Sequence, residues 1–351
     1  AASDVYKRQM WGKMIIDHYD NLSFDEKEYY NKIYYGILKG KDSIRLLGLF
    51  DAKVLDKIIM VLKYEHAEIF YVDFQRMEYV ITPEELIYYI HYTMPVEMRN
   101  RKKHVMENWI ADSLGGMKIQ ASDSESDIYR KVHNYLIRNI SYNYEALQNP
   151  ETYPDAFTIS GIFENKKAVC EGIAKAFKVL CDYAGAKNVY VVNGTALSKR
   201  LKMIYPHTWN MVKFNGQYSH IDVTWDLEPS RTSRYNRYDY FMVPDEWMQK
   251  DHDYDNSIRC DAVEQSYFYR QSCLIPGPNS LKKFLDEKLQ NKISVLYFRI
   301  NGENGLPDDI DSKVDNIVQE AVRKYATSDY MIQTVSNQLQ NIYFYKISDR
   351  W

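Results

Sequence analysis

Apolar residues recur three and four positions apart over some stretches of the chain and alternate or run together over others, and the two periods predict where helices and strands fall. Ser23-Phe24-Asp25-Glu26 has the form of a capping box, so a helix is expected from Asp25 to Leu38. Val54, Leu55, Ile58, Ile59 and Leu62 follow at helical spacing, and Glu68–Phe74 with Met77–Ile81 reads as a strand pair. Thr82-Pro83-Glu84-Glu85 looks like another helix start, with Pro at the first helical position where its missing N–H costs nothing. Two more helices fit Val96–Leu114 and Asp127–Asn139, and the Gly115-Gly116 and Ser/Asp-rich stretch to Ser126 between them is a candidate boundary.

Past a proline-marked loop at Asn149–Asp155, Ile173, Phe177, Leu180, Cys181 and Ala184 form one stripe of a helix that Gly185 would stop. A buried-looking strand, Asn188–Asn193, comes next. The runs beginning at His207 and ending at Trp225 flank Asn215-Gly216, a strong hairpin signal because both turn residues tolerate positive φ. Turn formers concentrate again at Ile275-Pro276-Gly277-Pro278. Beyond them the pattern predicts a helix (Ser280–Gln290), a strand (Ser294–Ile300), a helix (Ile310–Tyr325) and a last strand (Asn341–Ile347), with nothing in them that suggests chemistry. The expected division is therefore a non-native leader at 1–9, a mainly helical region at 10–120, a core at 121–275 and a small α/β module at 276–351.

Composition narrows the function classes. Apolar residues at 45% and charged residues at 26% are ordinary for a globular chain, and a net charge of −3 with one short basic run, Arg99–Lys103, argues against a nucleic-acid partner. That run reads as a solvated helix face. No stretch approaches the roughly 18 consecutive apolar residues of a membrane span. The first nine residues fit no apolar period and resemble a translated adapter before Met10; if they are foreign, the natural start, and any export signal with it, lies outside the chain. The four cysteines, at 170, 181, 260 and 273, form no CxxC pair, so neither a disulfide framework nor a zinc ribbon is expected. On one helix, Cys170 and Cys181 would stand roughly 16 Å apart, too far to bond. The 32 tyrosines suggest half-buried rings, or an aromatic face for peptide or sugar.

Chemistry gathers around Cys170. In the first turn of its helix, unpaired N–H groups and the positive end of the dipole favour a thiolate, and Gly172 would let a substrate backbone approach. With a two-residue turn at Asn215-Gly216, Trp209 lies opposite Asp222 and His207 is diagonal to it. Diagonal partners sit about 7–8 Å apart at the backbone, near enough for a carboxylate to hold an imidazole. A helix-start Cys, a downstream His and a carboxylate thus follow in the order a Cys-His-Asp triad requires, with Trp209 and Trp225 beside it to exclude water. His220 and His252 read as structural or solvated, with no partner at metal-ligand spacing.

The blocks Ala168-Val-Cys170-Glu-Gly172-Ile-Ala-Lys-Ala-Phe177, His207-Thr-Trp209-Asn210 and Ile221-Asp222-Val-Thr-Trp225-Asp226 together resemble the transglutaminase core of bacterial transglutaminase-like proteins. The resemblance covers roughly Asp127 to Cys273. It implies an α+β, papain-like fold, a helix packed on an antiparallel sheet, with catalytic Cys170, His207 and Asp222. It also implies thiolate attack on an amide carbon and a thioester, resolved by water (protease-like) or by an amine (cross-linking). No cofactor is expected, and no Asp/Glu cluster has the spacing of a calcium loop, so no metal is either. Ser160 and Asn165 are the upstream side chains that could supply an oxyanion donor. The expected partner is a protein or peptide substrate; oligomeric state is not legible. The competing reading is a catalytically silent scaffold that binds peptide or glycan through tyrosine-rich faces.

Overall fold

The structure, a computed structural model, describes residues 18–49, 51–198, 203–255, 257–302, 306–326 and 329–349. The leader expected at 1–9 lies outside them. Two compact units divide the chain: residues 1–214 with 253–258, and 215–252 with 259–351.

The first unit opens with α1, Phe24–Leu38, and its capping box is present, the Ser23 side chain accepting from the N–H of Glu26 and the Glu26 side chain from that of Ser23. Strand β1 (Ser43–Leu47), helix α2 (Ala52–Glu65) and strands β2 (Glu78–Ile81) and β3 (Glu85–Tyr89) follow, β3 pairing antiparallel with both other strands. Two expectations fail here. Glu68–Phe74 is not a strand: Ala67–Ile69 is a 3-10 turn, and Ile69, Phe70, Tyr71 and Val72 are buried as a compact loop with one isolated bridge, Val72 to Tyr92. A short apolar run cannot be told from a buried turn by periodicity alone. Nor does Thr82-Pro83-Glu84-Glu85 start a helix. Thr82 Oγ1 accepts from the N–H groups of Glu84 and Glu85 and closes the β2–β3 turn, because the residues that follow, Leu86 to Tyr89, are a strand-forming run.

Helix α3 spans Val96–Met117, so Gly115-Gly116 continues the helix, which ends at Lys118 in the left-handed region (φ 53°). The basic run on α3 is not simply a solvated face. Arg99 lies 3.8 Å over the Tyr92 ring, Lys103 lies 4.5 Å over Tyr71, and Lys102 bridges Asp155 and Glu164. Helix α4, Glu125–Asn139, starts on a second capping box made by Ser124 and Asp127.

The core of this unit is α5, Cys170–Tyr183, packed against the antiparallel pair β4 (Val189–Ser198) and β5 (Met203–Phe214) and against α4. The expected apolar stripe is there, but burial extends all round: Gly172 to Cys181 are buried without a break, including Lys175 and Lys178. Ion pairs make that tolerable. Lys178 contacts Glu65 (3.3 Å) and Asp182 (3.1 Å) and donates to the Val189 carbonyl (2.9 Å). Gly185, at φ 98°, follows the helix as its sequence position predicts.

In the second unit, Asn215 and Gly216 have φ of 50° and 82°, the pair of positive values a type I′ turn needs. After it come β6 (Gln217–Ile221), helix α6 (Val223–Ser233) and β7 (Phe241–Val243), which pairs antiparallel with β6. A four-stranded sheet is ordered β8 (Leu274–Ile275), β9 (Val295–Ile300), β11 (Ile342–Asp349), β10 (Tyr330–Thr334), with α7 (Pro278–Gln290) and α8 (Ile310–Tyr325) packed together. Strand β10 is absent from the sequence reading, since Tyr330–Thr334 is half-exposed and edge-paired and carries little apolar alternation. Many tyrosines are core residues whose hydroxyls donate to carboxylates, as Tyr343 to Asp311, Tyr297 to Asp239 and Tyr240 to Asp251. Burial raises their pKa values further from the working range, which suits a structural donor.

Candidate active site

Cys170 is the first residue of α5, 6% exposed, and its helix starts at Val169 without a side-chain cap. The backbone N–H groups of that first turn therefore have no intrahelical acceptor and no capping side chain. Glu171, also in the first turn, would oppose a thiolate through its charge. Its carboxylate is instead shared by two ammoniums, Lys175 at 2.8 Å and Lys63 at 3.0 Å. Burial pushes Glu171 upward, but the two lysines more than offset it and hold its pKa down to about 2.

The glycine after Glu171 serves the protein's own backbone. A Cβ at Gly172 would stand 2.7 Å from the carbonyl oxygens of both Ala156 and Thr158, so the close approach is made by the segment at 154–158 that braces the helix start. Ser160 is committed to the same segment, with its hydroxyl on Thr158 Oγ1 (2.6 Å) and Asp155 Oδ1 (3.0 Å), while Asn165 is solvent-exposed.

His207 lies on β5, 2% exposed, stacked on Trp209 with centroids 5.8 Å apart and edge-on to Tyr205. Trp209 is buried, packs edge-on to Tyr254, and reaches across Gly194, where a Cβ would meet its ring at 2.8 Å. One residue on, Asn210 donates through Nδ2 to the carbonyls of Ala174 (3.0 Å) and Tyr190 (3.4 Å). That side chain ties the strand carrying His207 to the helix carrying Cys170. The sequence reading quoted Asn210 without a role; an Asn between Trp209 and Met211 in a largely buried strand is the available signal.

Asp222 is fully buried, but it is not a strand residue. It leaves the end of β6 and becomes the N-cap of α6, where Oδ1 accepts from the Trp225 N–H (3.1 Å). The extended register through Trp225 fails because Asp222-Val-Thr-Trp225 is itself a helix start, a carboxylate followed three residues later by its donor. Oδ2 faces His252 Nε2 at 3.2 Å, and His252 Nδ1 faces Asp251 Oδ1 at 2.6 Å. Trp225 covers that imidazole, centroids 4.4 Å apart.

His252 is the functional candidate the sequence reading passed over as structural or solvated. It is buried between two carboxylates, and the flanking Asp251-His-Asp253 run was the clue. Asp251 is held in turn: its Oδ2 accepts from Tyr240 OH (2.6 Å) and from Gln340 Nε2 (2.8 Å), and Gln340 Oε1 accepts from Arg299 Nη1 (3.0 Å). The carboxy-terminal part of the chain, in which the sequence showed no chemistry, thus supports the group that touches Asp222. His220 is buried and structural, its Nε2 3.0 Å from Asp245 Oδ1, and Asp245 also accepts from the Cys260 N–H. Burial pushes the thiols of Cys181, Cys260 and Cys273 up, the last to about 12, and all four cysteines are unbonded.

Residues 115–223 match the family model described as the transglutaminase-like superfamily, a span that contains Cys170, His207 and Asp222, so this part of the chain is transglutaminase-like. Among curated proteins, the kyphoscoliosis peptidase of Mus musculus is 28% identical over 220 residues and that of Homo sapiens 26% over 227. The alignments take in 54% and 56% of this chain but only 33% and 34% of those proteins, so the chain spans about a third of the length of the curated relatives it matches. A solved structure described as a crystal structure of a TGase is 16% identical over 52% of this chain and 50% of its own, with a TM-score of 0.28, a likeness too slight to carry an argument. No described helix is long and apolar enough to cross a membrane.

Proposed function

We propose that the chain is a thiol enzyme acting on amide bonds of protein or peptide substrates, with Cys170 as nucleophile, His207 as its base and Asp222 as the carboxylate that orients the base. The observation that carries this reading is the setting of Cys170, an unbonded thiol at the uncapped first position of a buried helix, in a stretch that is transglutaminase-like. In the proposed reaction the thiolate attacks the carbonyl carbon, the Cys170 N–H stabilises the oxyanion, and the amine leaves with the proton from His207. The resulting thioester is then resolved by water, with His207 taking the water's proton. Hydrolysis is favoured over cross-linking because both matched relatives bear the name peptidase. Trp209 and Trp225 pack on His207 and His252 and would restrict water there.

The test is to incubate the protein with a mixed peptide pool, quench in acid and search for acyl adducts on Cys170 by mass. An adduct on Cys170 that is absent from Cys170→Ala and depleted in His207→Ala is the expected result. Adducts spread over all four cysteines, or none, would leave the scaffold reading in possession.

A further inference from the structure

A cavity of about 640 Å³ lies within the first unit, bounded by α2, the loop after it, the 148–158 segment and the first turns of α5. Its size suits a small-molecule site, which usually runs to about 300–1,000 Å³. Phe70, Phe74 and Phe157 give it an apolar wall. Its polar end is the Lys63–Glu171–Lys175 cluster, in which two ammoniums share one carboxylate. Lys175 is 94% buried by its 6% exposure, and its one described hydrogen bond, to Glu171 Oε1, uses one of three N–H donors. The formal charge at that end is therefore +1, while the other carboxylates of the lining, Asp73 and Glu151, sit at half-exposed and exposed positions.

An uncompensated buried ammonium is expensive unless paired and hydrogen-bonded. Consistent with this, burial pushes Lys175 below its ordinary value, Glu171 pulling it back and Lys63 pressing it further down. A second carboxylate would neutralise the cluster. A polyanion such as phosphate fits less well, since it carries more negative charge than the +1 cluster neutralises and the lining already holds Asp73 and Glu151. We infer that this cavity is a binding site for a monocarboxylate with an apolar or aromatic body, the carboxylate pairing with Lys175 and Lys63 and the body lying against Phe70, Phe74 and Phe157. The ligand could be a free acid or the C-terminus of a peptide, which share this chemistry. The inference does not rest on the thiol reading, because Cys170 is not among the lining residues.

Calorimetry on the full chain decides it. The probes are 3-phenylpropionate against 3-phenylpropionamide, and N-acetyl-Ala-Ala-Phe with a free against an amidated C-terminus. Binding of at least one acid ten-fold or more tighter than its amide is expected, and the arm that shows it identifies the source. Lys175→Met, which leaves the Glu171–Lys63 pair in place, should remove the preference. Equal affinity for acid and amide, absence of acid binding at millimolar concentration, or a preference that survives Lys175→Met would overturn the inference. The acid-to-amide ratio is read on the unmodified protein, so it stands even if that variant fails to fold.

Discussion

His252 bridges two buried carboxylates, its Nε2 3.2 Å from Asp222 Oδ2 and its Nδ1 2.6 Å from Asp251 Oδ1. Asp222 is therefore fixed from two sides, by the Trp225 N–H at one oxygen and by this imidazole at the other. If Asp222 orients His207, displacing it should slow chemistry without weakening binding. His252→Ala is expected to lower the burst rate of Cys170 acylation by p-nitrophenyl acetate by about 10²-fold, while Gln340→Leu, acting two hydrogen bonds further away through Asp251 and His252, lowers it by about 10-fold. Far-UV circular dichroism would check that both variants fold. A burst rate unchanged in folded His252→Ala would mean that Asp222 needs no such support.

Thiol reactivity should separate Cys170 from its companions if it is the nucleophile. Cys181, Cys260 and Cys273 have thiols raised by burial and should react slowly with iodoacetamide at pH 7. Cys170 should be alkylated at least ten-fold faster than Cys181, and His207→Ala should erase most of the difference. The acylation rate should also trace a bell against pH, rising as the thiolate–imidazolium pair forms and falling as His207 loses its proton. A rate that climbs steadily to high pH would mark an unassisted thiol.

Gly172 tests the helix start. Because a Cβ there would meet two backbone carbonyl oxygens at 2.7 Å, Gly172→Ala must move the 154–158 segment or the tip of α5. Overpacking of this kind costs about 1–3 kcal/mol. The variant is expected to show that loss in urea unfolding and to lower Cys170 acylation as well, since the same shift moves the sulfur. Full stability in the variant would show that the segment yields freely.

Much of this architecture could be read from local signals. The capping box at Ser23, the stop at Gly185, the Asn215-Gly216 turn and the helices of the carboxy-terminal part were legible because each depends on neighbours in sequence. What failed had a tertiary cause. Thr82-Pro83-Glu84-Glu85 carries a helix-start pattern that a β-rich sequel overrides, and Asp222 belongs to a helix cap that the strand alternation conceals. The candidate nucleophile and imidazole were nameable from motif order. The groups that hold Asp222 were not: His252 touches it from 30 residues away, and Gln340 and Arg299 stand behind His252 from still more distant parts of the chain, contacts that no spacing rule encodes.

Glu171 is the last case, and its pH dependence has a definite sign. Its folded pKa, held at about 2 by Lys175 and Lys63 against the upward push of burial, lies below the ordinary carboxylate value of 4.5. The stabilisation is therefore fully present above about pH 4.5 and is lost as pH falls toward 2. The difference corresponds to about 3 kcal/mol at neutral pH. Glu171→Gln removes the one negative charge shared by two largely buried ammoniums and should cost about 3–5 kcal/mol at pH 7. In urea titrations the gap between wild type and variant should narrow steadily from pH 5 to pH 3. Adding Lys175→Met to Glu171→Gln should recover part of the loss, because one unpaired charge disappears with it. A gap that stays constant with pH, or a double variant no better than the single, would show that the cluster does not bear on stability as an ion pair.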